Sequence, residues 1–261
     1  MIMKYATTIR MPCVLVCLFV IFISCTVYSQ PQPKEIMSHF YRANLLYEKA
    51  DYKEAIKEYQ KIIELGYESS AVYYNLGNSC VKDSQLPQAL LNYEKALRLA
   101  PRDRDIQANY GYARSLVQAS GYERQPHGLA AIPLYMFKVF SLDELTCIAS
   151  FLYWLLLIII GFAIVGKFSK QKLSAIGGCV LLLLFLTGFA LAQRIGSLGR
   201  EAIVLDKTLE ARFEPLEAAT VYFELTAGSK TRVVSCKQDW CKIERGDGKQ
   251  GWVNKEGLAI F

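Results

Sequence analysis

Two long runs without a charged residue constrain this chain more than anything else in it. Residues 145–166 are 22 positions with no Asp, Glu, Lys or Arg, and residues 173–193 are 21 more. A hydrocarbon core about 30 Å thick needs about 20 apolar residues in a helix, so each run is long enough to cross a bilayer. A buried helix of a soluble protein keeps a polar stripe, and a run such as LLLIII has none. The connection, residues 167–172, is short and carries Lys167, Lys170 and Lys172. The sequence therefore predicts two transmembrane helices, 145–166 and 173–193, joined by a lysine-bearing loop of the kind retained in the cytoplasm.

A third apolar run, residues 11–28, follows Lys4 and Arg10 and ends in small residues. That is the layout of a secretory signal peptide over residues 1–29. Retention of the run as an anchor, or lipidation at Cys25, are the alternatives. All three export the chain from residue 30 onward. The expected topology puts residues 30–144 outside, 167–172 in the cytoplasm and 194–261 outside again.

The net charge of +6 is not spread over the water-exposed parts. The excess lies at Lys4, Arg10, Lys138, Lys167, Lys170, Lys172 and Arg194, all flanking apolar runs, whereas residues 34–125 and 200–261 are nearly balanced. This distribution belongs to a membrane protein, and it lacks the concentrated basic face of a nucleic-acid-binding domain. With 52% hydrophobic and 21% charged residues, general disorder is excluded.

Between these segments, residues 34–118 repeat with a period of 34. Asn44 recurs as Asn78, Ala55 as Ala89, Tyr59 as Tyr93 and Leu65 as Leu99. The second copy contains Tyr73, Leu76 and Gly77, then Ala89 and Tyr93, then Pro101. This pattern resembles the tetratricopeptide repeat, a helix–turn–helix unit of 34 residues. The resemblance implies an all-α array of two repeats plus a capping helix. It also implies a concave, partner-binding face of Phe40, Asn44, Tyr47, Tyr74, Asn78, Val81 and Lys82, which would take proteins or peptides. The alternative is that Asn44 and Asn78 are ordinary helix-surface residues. Gly121, Pro126, Gly128 and Pro133 mark residues 119–144 as a linker to the membrane.

Residues 200–261 change period. Short β-rich runs alternate with glycines, and Asp247-Gly248 is a hairpin signal. Five short strands are predicted. The series Ala202-Ile203-Val204, Phe223-Glu224-Leu225, Trp240, Ile243 and Gly251-Trp252-Val253 resembles the bacterial SH3-like domain, a small all-β barrel. Gly246-x-Gly248-x-x-Gly251 satisfies a dinucleotide-binding spacing, but it lies between strands and not between a strand and a helix. Cys236 and Cys241 flank a predicted turn in an exported domain. A disulfide between them is one reading; two small buried hydrophobes is the other.

No catalytic or metal-binding motif occurs, and the chain has two histidines. No enzyme activity, cofactor or metal is expected. The fold class expected is a multidomain membrane protein: a helical array, two transmembrane helices and an SH3-like barrel. In this order the segments resemble the BatE proteins of the Bacteroides aerotolerance (Bat) operon family. That resemblance implies a bacterial cytoplasmic membrane protein with both outer modules on the periplasmic side. It also implies partners among Bat membrane proteins with von Willebrand A domains, a MoxR-type ATPase, and a part in aerotolerance or stress response. The expected function is a non-enzymatic scaffold. A cell-wall sensor or tether, with a peptidoglycan-binding SH3-like domain, is the alternative.

Overall fold

A computed structural model of the chain describes residues 34–117, 139–165 and 169–261. The expected signal peptide (1–29), the linker up to residue 138 and Lys167 in the expected loop lie outside the described residues. Five amphipathic helices come first: α1 (Lys34–Glu48), α2 (Tyr52–Glu64), α3 (Ser70–Lys82), α4 (Leu86–Leu99) and α5 (Arg104–Leu116). Each packs on the next, and α5 also touches α3. Caps set two of the starts. The Ser69 hydroxyl accepts from Val72 N, and the Asp103 carboxylate accepts from Asp105 N and Ile106 N, as helix N-termini require.

The geometry of this layer repeats every 34 residues. Ala50 and Ser84 both adopt left-handed backbone, with φ of 59° and 62°. In the turn after α1, Ala50 N donates to Tyr47 O and Asp51 N to Leu46 O; after α3, Ser84 N donates to Val81 O and Gln85 N to Cys80 O. The core repeats as well, with Ala43, Ala55, Tyr59, Gly77, Ala89 and Tyr93 all buried. At Gly77 the helices touch so closely that a Cβ would lie 2.7 Å from the Tyr93 ring. Cys80 is buried in the same core, and burial pushes its thiol pKa up to about 12.

Two long apolar helices follow, α6 (Leu142–Val165) and α7 (Lys170–Ser197), packed side by side. Both are long and apolar enough to cross a membrane, and few of their side chains are buried within the chain. Core helices of a soluble protein would be covered. Helix α6 begins ahead of the uncharged run, so Asp143 and Glu144 belong to its first turn. A reciprocal capping box fixes that start: Glu144 N donates to Ser141 Oγ, and Ser141 N donates to the Glu144 carboxylate at 2.9 Å.

The remaining residues form one antiparallel sheet: β1 (Glu201–Val204), β2 (Thr208–Arg212), β3 (Val221–Thr226), β4 (Lys230–Lys237), β5 (Trp240–Glu244), β6 (Gln250–Asn254) and β7 (Leu258–Ile260), in the order β3-β2-β6-β5-β4-β1-β7. The expectation of five strands is corrected to seven. β2, TLEAR, offers only Leu209 and Ala211 to the core, and β7 is three residues long, so neither reads as a strand by composition. Side chains from all seven strands, Val204, Leu209, Leu225, Val233, Ile243, Val253 and Leu258 among them, meet in one core. The sheet is therefore wrapped around its interior and not flat. The glycines of the decoy spacing belong to the β5–β6 turn, where Gly248 has φ 89°, and to β6, where a Cβ on Gly251 would lie 2.9 Å from the Ala211 Cβ.

Candidate binding sites

Two open clefts stand on the water-exposed modules. The first, of about 160 Å³, lies on the helical layer and is lined by Asn44, Tyr47, Glu48, Tyr59, Asn75 and Asn78. Its floor is a ladder of side chains with the same 34-residue period. Tyr59 Oη donates to Asn44 Oδ1 at 2.5 Å, and Asn75 Nδ2 donates to the same oxygen at 3.4 Å. One period on, Tyr93 Oη donates to Asn78 Oδ1 at 2.6 Å and Asn109 Nδ2 donates to it at 3.0 Å. Burial pushes the Tyr59 phenol up to about 12 and the Tyr93 phenol up as well. Both hydroxyls therefore remain protonated donors at neutral pH. They hold the two asparagine side chains in one orientation, with each oxygen engaged.

Of the seven residues expected on the concave face, the cleft brings together Asn44, Tyr47 and Asn78. Tyr74 lies beside it, accepting from Asn109 Nδ2 at 2.8 Å and packing 6.2 Å from the Tyr93 ring. Phe40 packs edge-on against Tyr59, Val81 is half-buried against the core, and Lys82 is exposed in the last turn of α3. Asn75 and Asn109 escaped the sequence reading. Their 34-residue spacing was the available signal.

The second cleft, of about 350 Å³, lies on the sheet and is lined by Leu209, Glu210, Arg212, Glu217, Trp240 and Asn254. Arg212 is held by Glu210 and by the Ala219 carbonyl. The cleft thus offers an indole, an oriented guanidinium and carboxylates, a mixed set suited to a peptide with both polar and apolar groups. Beside it, the Cys236–Cys241 disulfide joins register partners across the β4–β5 hairpin. Gln238 takes a φ of 51° in the two-residue turn.

The two modules are joined. Lys230 on β4 pairs with Glu94 on α4 at 3.0 Å and with Glu201 on β1 at 3.3 Å, and Arg98 on α4 pairs with Glu201 at 2.9 Å. Burial pushes the Glu201 carboxyl up, but Lys230 and Arg98 outweigh it and hold its pKa below the ordinary value. Apolar contact backs the ion pairs. Ile203 of β1 is buried in the helical core, with Phe261 packed against it, and a Cβ on Gly228 would sit 2.8 Å from Val117 and 3.0 Å from Leu90. The helical layer also reaches the start of α6, where Arg102 pairs with Glu144. Both clefts stay open in this arrangement. Among the described residues, no group of three His, Cys, Asp or Glu side chains is placed to hold a metal ion.

Residues 206–259 match the family Bacterial SH3 domain. The wrapped sheet is therefore a bacterial SH3 domain, attached to a helical N-terminal region through two apolar helices long enough to cross a membrane. No curated protein matches the chain.

Proposed function

We propose that the protein is a non-enzymatic adaptor anchored in a bacterial cytoplasmic membrane, with both water-exposed modules on the exported side. The observation that carries this reading is the junction of Glu94, Lys230, Glu201 and Arg98, which locks two modules together while leaving a cleft open on each. A body of this kind holds two partners at a fixed separation. The five helices are read as two tetratricopeptide repeats and a capping helix, on the strength of the 34-residue recurrence of turns and side-chain hydrogen bonds. Their cleft would take an extended segment of a partner protein, and the bacterial SH3 domain would take a second protein. The signal-like run 11–28 supports export of both modules, and the lysine loop supports a cytoplasmic turn between the spans.

The order of segments supports a place among BatE-like proteins, with Bat membrane proteins carrying von Willebrand A domains as partners in aerotolerance or stress response. Purification of the intact protein after cross-linking in its own membrane tests this. Recovery of such membrane proteins supports the adaptor; their absence removes the Bat connection. A second reading follows from the family match of residues 206–259 and from the indole and oriented arginine of the sheet cleft. Here the SH3 domain binds peptidoglycan, and the protein is a wall sensor or tether. Retention of the detergent-solubilised protein on purified wall, lost on Trp240→Ala, would favour that reading, and failure to bind wall removes it.

A further inference from the structure

A cavity of about 400 Å³ lies where the three parts of the chain converge. The helical layer contributes Glu68, Lys95, Arg98 and Leu99, the first turn of α6 contributes Leu142 and Asp143, and the end of α7 and the sheet contribute Leu198, Ile260 and Phe261. Its place follows from the length of α6. A helix of 24 residues rises about 36 Å, roughly 6 Å more than a hydrocarbon core. Asp143 and Glu144 put that excess at the start of α6, so with both helices spanning a membrane its first turn and the residue just after α7 lie at headgroup depth on one face, and the cavity opens between them.

The charges lining it are of both signs and incompletely matched. Lys95 makes no ion pair among the described residues; its ammonium lies 5.3 Å from the centre of the Tyr73 ring. Burial lowers the Lys95 pKa and the nearby Glu68 raises it, yet among the described residues no carboxylate stands within ion-pairing distance of the ammonium. Arg98 pairs with Glu201 through one nitrogen, and a guanidinium carries further donors. On the other side, Glu68 accepts only from the Tyr73 hydroxyl at 2.8 Å, and Asp143 makes no hydrogen bond or ion pair among the described residues. Two cations, two carboxylates and a wall of Leu99, Leu142 and Leu198 at headgroup depth define a zwitterionic, amphipathic ligand.

We propose that this cavity binds the headgroup of a phosphoethanolamine lipid, its phosphate against Lys95 and Arg98 and its ammonium between Glu68 and Asp143. The inference rests on the reading of α6 and α7 as membrane-spanning. That reading is tested separately: the protein must stay in the membrane fraction through an alkaline carbonate wash.

Native mass spectrometry of the full chain in detergent tests the site itself, with added phosphatidylethanolamine, phosphatidylglycerol or phosphatidylcholine. One phosphatidylethanolamine per chain should be retained in preference to the other two. Loss of one charge-assisted contact lowers affinity about tenfold, so Lys95→Ala and Asp143→Asn should each deplete the adduct, while Lys95→Arg keeps it. Asp143 is exposed, so its substitution leaves the fold intact. Equal retention of all three lipids, or an adduct indifferent to both substitutions, overturns the proposal. Displacement of the lipid by inorganic phosphate alone also overturns it, since the site would then read phosphate without the ammonium.

Discussion

Lys230 of the sheet reaches Glu94 of helix α4 at 3.0 Å across 136 residues of chain. The pair is largely shielded, with side-chain exposures of 26% and 11%, and Tyr110 Oη donates to the same carboxylate at 2.6 Å. Removing Lys230 leaves Glu94 partly buried without its cation. Lys230→Ala should destabilise the joined body by about 2 kcal/mol and split one calorimetric transition into two. Arg232→Ala, at an exposed position of the same strand, should do neither. A single unsplit transition in both variants would show that the modules do not depend on this contact.

The junction also sets an acid limit. The Glu201 carboxyl is held below its ordinary value of 4.5, so the folded state favours its charged form. Its contribution is present in full above that value and is lost as pH falls through the lower, folded pKa. Melting temperature should be level above about pH 5 and fall below about pH 4.5. Glu201→Gln should lower stability at neutral pH and flatten the acid slope. Glu58 is a second group of the same sign: burial raises its pKa, but His39, Lys61 and Arg42 bring it lower. Some slope therefore persists in the variant.

The asparagine ladder predicts a graded response. Tyr93→Phe removes the hydroxyl that Asn78 accepts and should cost about 1 kcal/mol. Gly77→Ala forces a methyl into the buried Tyr93 ring and should cost about 1–3 kcal/mol. The methyl meets ring carbons that Phe keeps, and a ring pushed aside also disturbs the hydroxyl's bond to Asn78, so the double variant should cost less than the sum. Urea titration of the four proteins checks this; full additivity would mean that the methyl leaves the Tyr93–Asn78 hydrogen bond undisturbed.

The Cys236–Cys241 bridge closes a short loop, with a sequence separation of 5. A chain-entropy treatment gives about 2 kcal/mol for so small a loop. Reduction should lower the melting temperature of the joined body by a few degrees and, in the Lys230→Ala variant, shift only the transition of the sheet. Alkylation of the unfolded protein without reductant should leave both sulfurs unlabelled; labelling of both would contradict the bridge.

The parts of this fold legible in the sequence are those whose cause is local. An uncharged run of about 20 residues has few alternatives to a membrane span, and a 34-residue recurrence of Asn44, Ala55 and Tyr59 shows before any packing is known. β2 is not legible because it carries Glu210 and Arg212 in five residues, and β7 because three residues are too few to show a period; both owe their place to pairing with neighbours. The junction was invisible for a different reason. Glu94, Arg98, Glu201 and Lys230 look like solvated charges in modules of balanced composition, and only the folded chain brings them together. Asn75 and Asn109 stood at the right spacing but are individually unremarkable polar residues on a helix.

The account turns on two clefts serving two partners from one body. The most direct test is cross-linked purification of the intact protein from its membrane, run in parallel for the wild type, Asn78→Ala and Trp240→Ala, with mass spectrometry of what is recovered. The prediction is that wild type brings down at least two partner proteins, that Asn78→Ala loses one and keeps the other, and that Trp240→Ala does the reverse. Identical recoveries from all three proteins, or no protein partner from any of them, would contradict it.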